Sequence, residues 1–174
     1  MNFRRFEPQD AAFCFKMRSN AFIQKFYGEL TPVEVTAGVN SFMPDDYIRM
    51  SKEMPFFIVE DDETRRGFFA IRQIDKKTAE LSLIYLDLPY SGKGIGKSCV
   101  RFIEKWLASN WPVVEKLVVD TVIPEYNSAF YKRLGFIPLE KTFCVLSGLK
   151  VSALRLSKDL KPFTPDDAHH FVAV

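Results

Sequence analysis

The stretch PYSGKGIGKS, Pro89 to Ser98, carries two incompatible spellings. Counted from Ser91, it nearly makes the phosphate loop G-x-x-x-x-G-K-S/T of nucleoside-triphosphate enzymes. Gly96, Lys97 and Ser98 fit, but Ser91 stands where the first glycine belongs. Read for its glycines, Gly92-Lys93-Gly94-Ile95-Gly96 is a turn opening a helix. Such a turn aims backbone N–H groups and the positive end of the helix dipole at one point, where a pyrophosphate is held. The two spellings belong to different sheets, so choosing between them chooses the fold.

Context separates them. A phosphate-loop enzyme opens its domain with the loop and builds a parallel sheet behind it. Here the loop lies past the middle of the chain, and one strand–helix unit and a closing hairpin follow it. KLVVD, ending at Asp120, imitates the strand that holds magnesium in such enzymes. Ser91 removes the glycine that begins the wrap around the phosphates. A P-loop nucleotide-binding protein is therefore carried only as an alternative.

The surrounding elements read as mixed α/β. NFRRF is a first strand, and Pro8 to about Tyr27 is a helix. Thr31-Pro32-Val33-Glu34 is a capping box with Pro just inside, which starts a second helix. That helix breaks near Pro44, and DDYIRMSKE adds a helical turn. PFFIVED and RGFFAIRQID are strands joined by the polar turn DETR, and AELSLIYLDL is a long apolar strand. KSCVRFIEKWLASN is a helix, with Val100, Ile103 and Leu107 at spacings of three and four. KLVVDTVI is a strand, EYNSAFYKRL a short helix stopped by Gly135, and KTFCVLSG with KVSALRLSKDL a final hairpin. One domain occupies residues 1–160, followed by a tail at 161–174.

Composition narrows the function. With 174 residues, 47% hydrophobic and 26% charged, the chain can bury a core of its own. A net charge of +2 makes no electrostatic case for nucleic acid. No apolar run is long enough for a membrane span, and MNFRRFEPQD does not read as a signal peptide. Cys14, Cys99 and Cys144 are odd in number and far apart, which points to a reducing cytosol without disulfide framework or zinc site. The only histidines, His169 and His170, stand together in the tail, so neither a His-dependent triad nor a His-ligated catalytic metal is expected.

About 30 residues past the glycines comes NSAFYKRLGF, Asn127 to Phe136. With both stretches in hand, the chain from Asn2 to Leu160 resembles the Gcn5-related N-acetyltransferase family. IYLDLPYSGKGIGKS resembles its motif A, commonly Arg/Gln-x-x-Gly-x-Gly/Ala, and AFYKRLGF resembles its motif B. The chain departs twice: Ser91 replaces the Arg or Gln, and Pro124 stands where many relatives have Asn, with Asn127 one helical turn along. Lys93 and Lys97 are candidates for the missing charge.

The resemblance implies a single domain with a mostly antiparallel central sheet flanked by helices. It implies direct transfer of an acetyl group from acetyl-CoA, a co-substrate, to a primary amine of a small molecule or peptide, with no metal. Tyr131 matches the family's acid for the departing thiolate, and its residue type suits that work. Glu80 and Asp120 stand where relatives hold a base. Ile84, Tyr85 and Leu86 match the segment whose backbone pairs with the pantetheine arm. Gly92, Lys93, Gly94, Ile95, Gly96 and Lys97 match the pyrophosphate cradle, with Ser98 and Asn127 beside it. Lys97, Arg101 and Lys105 read as a solvated helix face, with binding of the 3′-phosphate by Arg101 and Lys105 as the alternative. Phe22, Phe26, Tyr27, Phe42, Met43 and Tyr47 lie where the acceptor pocket forms, and Asp45 and Asp46 are either caps or a lure for a cationic amine. A second alternative keeps the fold as a non-catalytic acyl-CoA-binding module. A homodimer through exposed hairpin edges is compatible with the chain.

Overall fold

Phe56, Phe57, Ile58 and Val59 are all buried, and they divide between two faces. Phe57 and Val59 join one core, and Phe56 and Ile58 the other. That explains why the central strands read as continuous apolar runs instead of alternating ones: both faces of the sheet are covered. The computed structural model describes residues 1–26, 28–87, 94–122 and 124–160, and the side chains of residues 25 and 124–128 stand outside that description.

The strands are β1 (Asn2–Arg5), β2 (Phe56–Asp61), β3 (Thr64–Gln73), β4 (Thr78–Leu86), β5 (Lys116–Thr121), β6 (Ile137–Leu146) and β7 (Leu149–Asp159). They form one sheet in the order β1-β2-β3-β4-β5-β7-β6. Every neighbouring pair is antiparallel except β4 and β5. This sheet excludes the parallel architecture of a phosphate-loop enzyme, and with it the nucleotide-triphosphate reading of Gly96-Lys97-Ser98.

The helices are α1 (Ala11–Asn20), α2 (Pro32–Asn40), α3 (Pro44–Glu53), α4 (Ile95–Asn110) and α5 (Pro124–Arg133). Cys99, Ile103 and Leu107 of α4 and Tyr131 of α5 pack on one face of the sheet, while Cys14 of α1 and Tyr47 of α3 pack on the other. Each fully buried Leu, Ile or Phe adds about 2 kcal/mol of transfer free energy. On the solvent side of α4, Lys97, Arg101 and Lys105 are exposed, as their spacing predicts. Among the described residues no helix is long and apolar enough to cross a membrane.

The expected first helix is divided. Pro8–Asp10 is a 3-10 turn, α1 follows, and Ala21–Lys25 is a π-type turn closed by Phe26 N–H donating to the Ala21 carbonyl at 3.1 Å. The entry is tightened because Asp10 accepts from the Glu7 N–H at 2.9 Å and from Arg4 of β1 at 2.7 and 2.9 Å. The capping box at Thr31 forms as read: its Oγ1 accepts from the Glu34 N–H at 3.3 Å and Glu34 accepts from the Thr31 N–H at 2.8 Å. The first strand of the final hairpin begins at Ile137, earlier than KTFCVLSG, because Ile137 already pairs with Ser157 of β7.

Candidate active site

Strands β4 and β5 pair over three residues only, ending at Glu80 opposite Val118. Past that point β4 continues to Leu86 along β3, and β5 continues to Thr121 along β7. The sheet is split there, and a cleft of about 1450 Å3 occupies the split. N–H and C=O groups of β4 alternate between its two sides, so those facing β5 beyond Glu80 meet no strand. Ile84, Tyr85 and Leu86 lie on this open segment, half-buried, and all border the cleft.

A bulge shapes the same strand. Ala70 pairs with Leu83 and Ile71 with Leu81, which leaves Ser82 as the extra residue. A one-residue insertion reverses which side chains face which side. Ala79 and Leu81 before it, and Ile84 and Leu86 after it, all reach the α4–α5 core. Leu83 and Tyr85 reach the opposite core. The Ser82 hydroxyl donates to Glu80 Oε2 at 2.9 Å, across the bulge.

One end of the cleft meets the glycine turn. Gly94 is the N-cap residue of α4, with φ of 80°, the left-handed region that glycine enters without penalty. Gly94, Ile95, Gly96 and Lys97 border the cleft, although Ile95 is itself core. Ser98 donates its N–H to the Gly94 carbonyl at 2.9 Å as the helix begins. Gly92 and Lys93 lie outside the described residues, as does the side chain of Asn127.

The YKRLGF run positions Tyr131. Gly135 takes φ of 87°, Phe136 N–H donates to the Tyr131 carbonyl at 3.1 Å, and Gly135 N–H donates to the Lys132 carbonyl at 3.0 Å. This is a Schellman cap, and its apolar contact is Tyr131 with Phe136, ring centroids 5.6 Å apart. Tyr131 is 5% exposed and borders the cleft. Burial, and then the nearby Tyr85, push its phenol above the usual range, so it keeps its proton.

Glu80 and Asp120 both border the cleft, and neither is free. Glu80, the third residue of its strand, accepts from Arg72 as well as Ser82. Asp120 takes a two-pronged bond from Arg155, directly across from it on β7, with Nε and Nη2 each at 2.8 Å. Two residues that the sequence reading did not place in the site join them. Cys144 of β6 borders the cleft, and its thiol is pushed up to about 11 by burial, then by Asp120 and Glu80, against the pull of Arg155. Arg18 of α1 borders the cleft although it is 2% exposed. No sequence signal announced either, because each owes its place to a distant partner.

Of the residues expected to shape an acceptor pocket, Phe22, Phe26 and Phe42 border the cleft. Tyr47 is wholly core and Met43 is exposed, while Tyr27 lies outside the described residues. Asp46 is a cap: it accepts from the Met43 N–H at 2.7 Å, the chief reason its carboxyl sits below the usual range.

The comparisons with known proteins agree with this geometry. The backbone is similar to a GCN5-related N-acetyltransferase from Rhodopseudomonas palustris, with a TM-score of 0.78 and 15% identity over 91% of this chain and 95% of the other. It is similar to the PaiA N-acetyltransferase from Thermoplasma acidophilum, solved in complex with coenzyme A, with a TM-score of 0.72 and 16% identity over 91% and 98%. It is also similar to a ribosomal-protein-alanine N-acetyltransferase from Brucella melitensis, with a TM-score of 0.69 and 13% identity over 92% and 100%. The sequence has no significant match among curated proteins. The family model for the GNAT acetyltransferases matches residues 21–136, two-thirds of the chain, spanning the split strand, the glycine turn and Tyr131, and the chain belongs to that family.

Proposed function

We propose that the protein transfers an acetyl group from acetyl-CoA to a primary amine of a small molecule or peptide, by direct attack with both substrates bound. The observation that carries this is the opening of β4 from β5 beyond Glu80, with the α4 glycine turn and Tyr131 both lining the cleft that results. An extended amide-bearing arm fits the open edge of β4 as an added strand. Gly94 to Lys97 and the start of α4 suit the pyrophosphate. The three cysteines are free, which fits a reducing cytosol.

Acetyl-CoA, when bound, supplies an activated acyl group whose carbonyl oxygen gains charge under attack and whose sulfur leaves as a thiolate. The chain's part is to orient and to move protons. An alkylammonium has a pKa of about 10 and must lose a proton before it attacks. Glu80, Asp120 or water held between them takes it. An N–H of β4 past the bulge meets the carbonyl oxygen. As the carbon–sulfur bond breaks, Tyr131 Oη gives its proton to the sulfur. Burial raises the phenol, and it penalises an anionic sulfur in the same cleft as well, so burial acts on both partners of the transfer. Cys144 holds its proton at neutral pH, which disfavours an acyl-cysteine route.

A second reading, an acyl-CoA-binding module without turnover, draws on the arginine pairing of both carboxylates. Thermal unfolding with acetyl-CoA, free CoA and Mg-ATP in parallel comes first, since a ligand of the folded state raises its stability. Thiol release with an amine panel follows. A shift with acetyl-CoA and thiol release with an amine is the expected result. A shift without release from any amine leaves the binding module, and no shift with either CoA form rejects both.

A further inference from the structure

Arg18 is a buried cation in the cleft wall without a carboxylate. Its Nη1 donates to the Gly38 carbonyl of α2, and its Nε has no partner. The guanidinium carbon stands 4.7 Å from the ring centres of both Phe22 and Phe42 and 5.9 Å from that of Tyr85. Among the described residues no carboxylate comes within ion-pair distance of it. The carboxylates of the cleft are each engaged elsewhere: Glu80 by Arg72, Asp120 by Arg155, and Asp87 by Arg66 at 3.7 Å.

Guanidinium groups stay charged in proteins, and burying one without an anion is costly. Ring faces return part of that cost. A brace between α1 and α2 explains the Gly38 contact, but it accounts for neither an unsatisfied buried Nε nor a place on the cleft. Tyr85 links Arg18 to the transfer point by position: its ring lies beside Arg18, and Tyr85 and Tyr131 line the same cleft. From this aromatic-walled position, we infer that Arg18 receives a carboxylate carried by the acceptor, so that the substrate class is an amino acid: an amine and a carboxylate on one small molecule. A single cation in an apolar wall suits a monoanion, whereas a phosphate dianion calls for more than one. The inference rests on the acetyl-transfer reading and narrows its acceptor.

The test compares L-α-amino acids with the matched α-amides, read by thiol release from acetyl-CoA. The expected result is a kcat/KM about 100-fold higher for at least one acid than for its amide, the scale of an unpaired buried charge. In R18Q that preference collapses through KM for the acid, while KM for acetyl-CoA stays within about twofold. R18K keeps the charge without the fork and falls between. Amides turned over as well as acids, or an unchanged preference in R18Q, overturns the carboxylate site and leaves acetyl transfer standing. If no amine releases thiol, acetyl transfer fails instead, and the anion site is read by thermal unfolding with N-acetyl-L-amino acids and their amides in excess CoA. A shift with an acid and not its amide supports the site, and no difference overturns it. That wild-type comparison also decides the matter if both Arg18 variants fail to fold.

Discussion

The ring of Phe130 covers Gly96: a Cβ added there would stand 2.5 Å from Cε2 and 2.6 Å from Cζ of that ring. Gly94, two residues earlier, has nothing within 4 Å of the same position and is required for its backbone angle instead. The two glycines therefore do separate work. Gly94 makes the turn into α4, and Gly96 lets α4 and α5 close together. Phe130 in turn stacks edge-on against Tyr131 at 5.0 Å, so Gly96, Phe130 and the proposed acid lie in one line of contacts.

Gly96→Ala is expected to lose about 1–3 kcal/mol of stability, the scale of overpacking in a core. Part returns in Gly96→Ala/Phe130→Leu. Gly94→Ala loses about 1 kcal/mol through its left-handed backbone, and Phe130→Leu does not rescue it. Denaturant unfolding of the four variants checks both, and rescue of Gly94→Ala by the Phe130 change would contradict the division of roles.

Tyr131→Phe is expected to lower kcat by about 100-fold with little change in KM for acetyl-CoA. Its stability stays near wild type, because no described residue hydrogen-bonds the lost hydroxyl. Since the phenol is raised, it contributes no alkaline fall in kcat below about pH 10. Unchanged turnover removes the acid role.

Glu80→Gln and Asp120→Asn separate a base from a brace. A base variant loses the acidic limb of the pH–rate profile and about 10²-fold or more in rate. A brace variant keeps that limb and loses about 1–3 kcal/mol of stability, as a charged hydrogen bond to arginine is weakened. The limb surviving in both variants assigns proton removal to water.

Asp10→Asn is expected to cost about 3 kcal/mol, because Asp10 is buried and holds Arg4 and, at 3.3 Å, Arg65. Burial pushes its carboxyl up, but the Arg4 bonds and the Glu7 N–H outweigh that and leave it below the ordinary 3.8. Its contribution is therefore present above the ordinary carboxylate value and lost as pH falls through the depressed one. Unfolding measured through the acid range should be flatter in the variant than in the wild type.

Stability is expected to fall in alkali. An ordinary thiol ionises near 9.0, whereas burial raises Cys99 to about 12 and Cys144 to about 11. Above about pH 9 the unfolded chain releases these protons first, so unfolding is favoured as pH rises, and below it the contribution is constant. Cys99→Ala and Cys144→Ala should each flatten the alkaline decline in denaturant midpoints, whatever their effect at neutral pH.

Local chemistry was legible in the chain. Thr31 to Glu34 spells a capping box that closes on itself within one turn. YKRLGF spells a helix whose Gly135 closes it onto Tyr131, and the glycine turn spells the start of α4. In each case the partners lie within a few residues, so the sequence by itself determined these pieces, and with two motifs at their spacing it determined the family's sheet. The tertiary structure decided what depends on distant partners. The Ser82 bulge exists only as a mismatch of register between β3 and β4, and nothing local marks it. Asp120 is bound because β7 enters the sheet between β5 and β6, which sets Arg155 across from it. Arg18 borders the cleft because α1, α2 and β4 meet around it, and a residue's neighbours from three separate elements cannot be read along one of them.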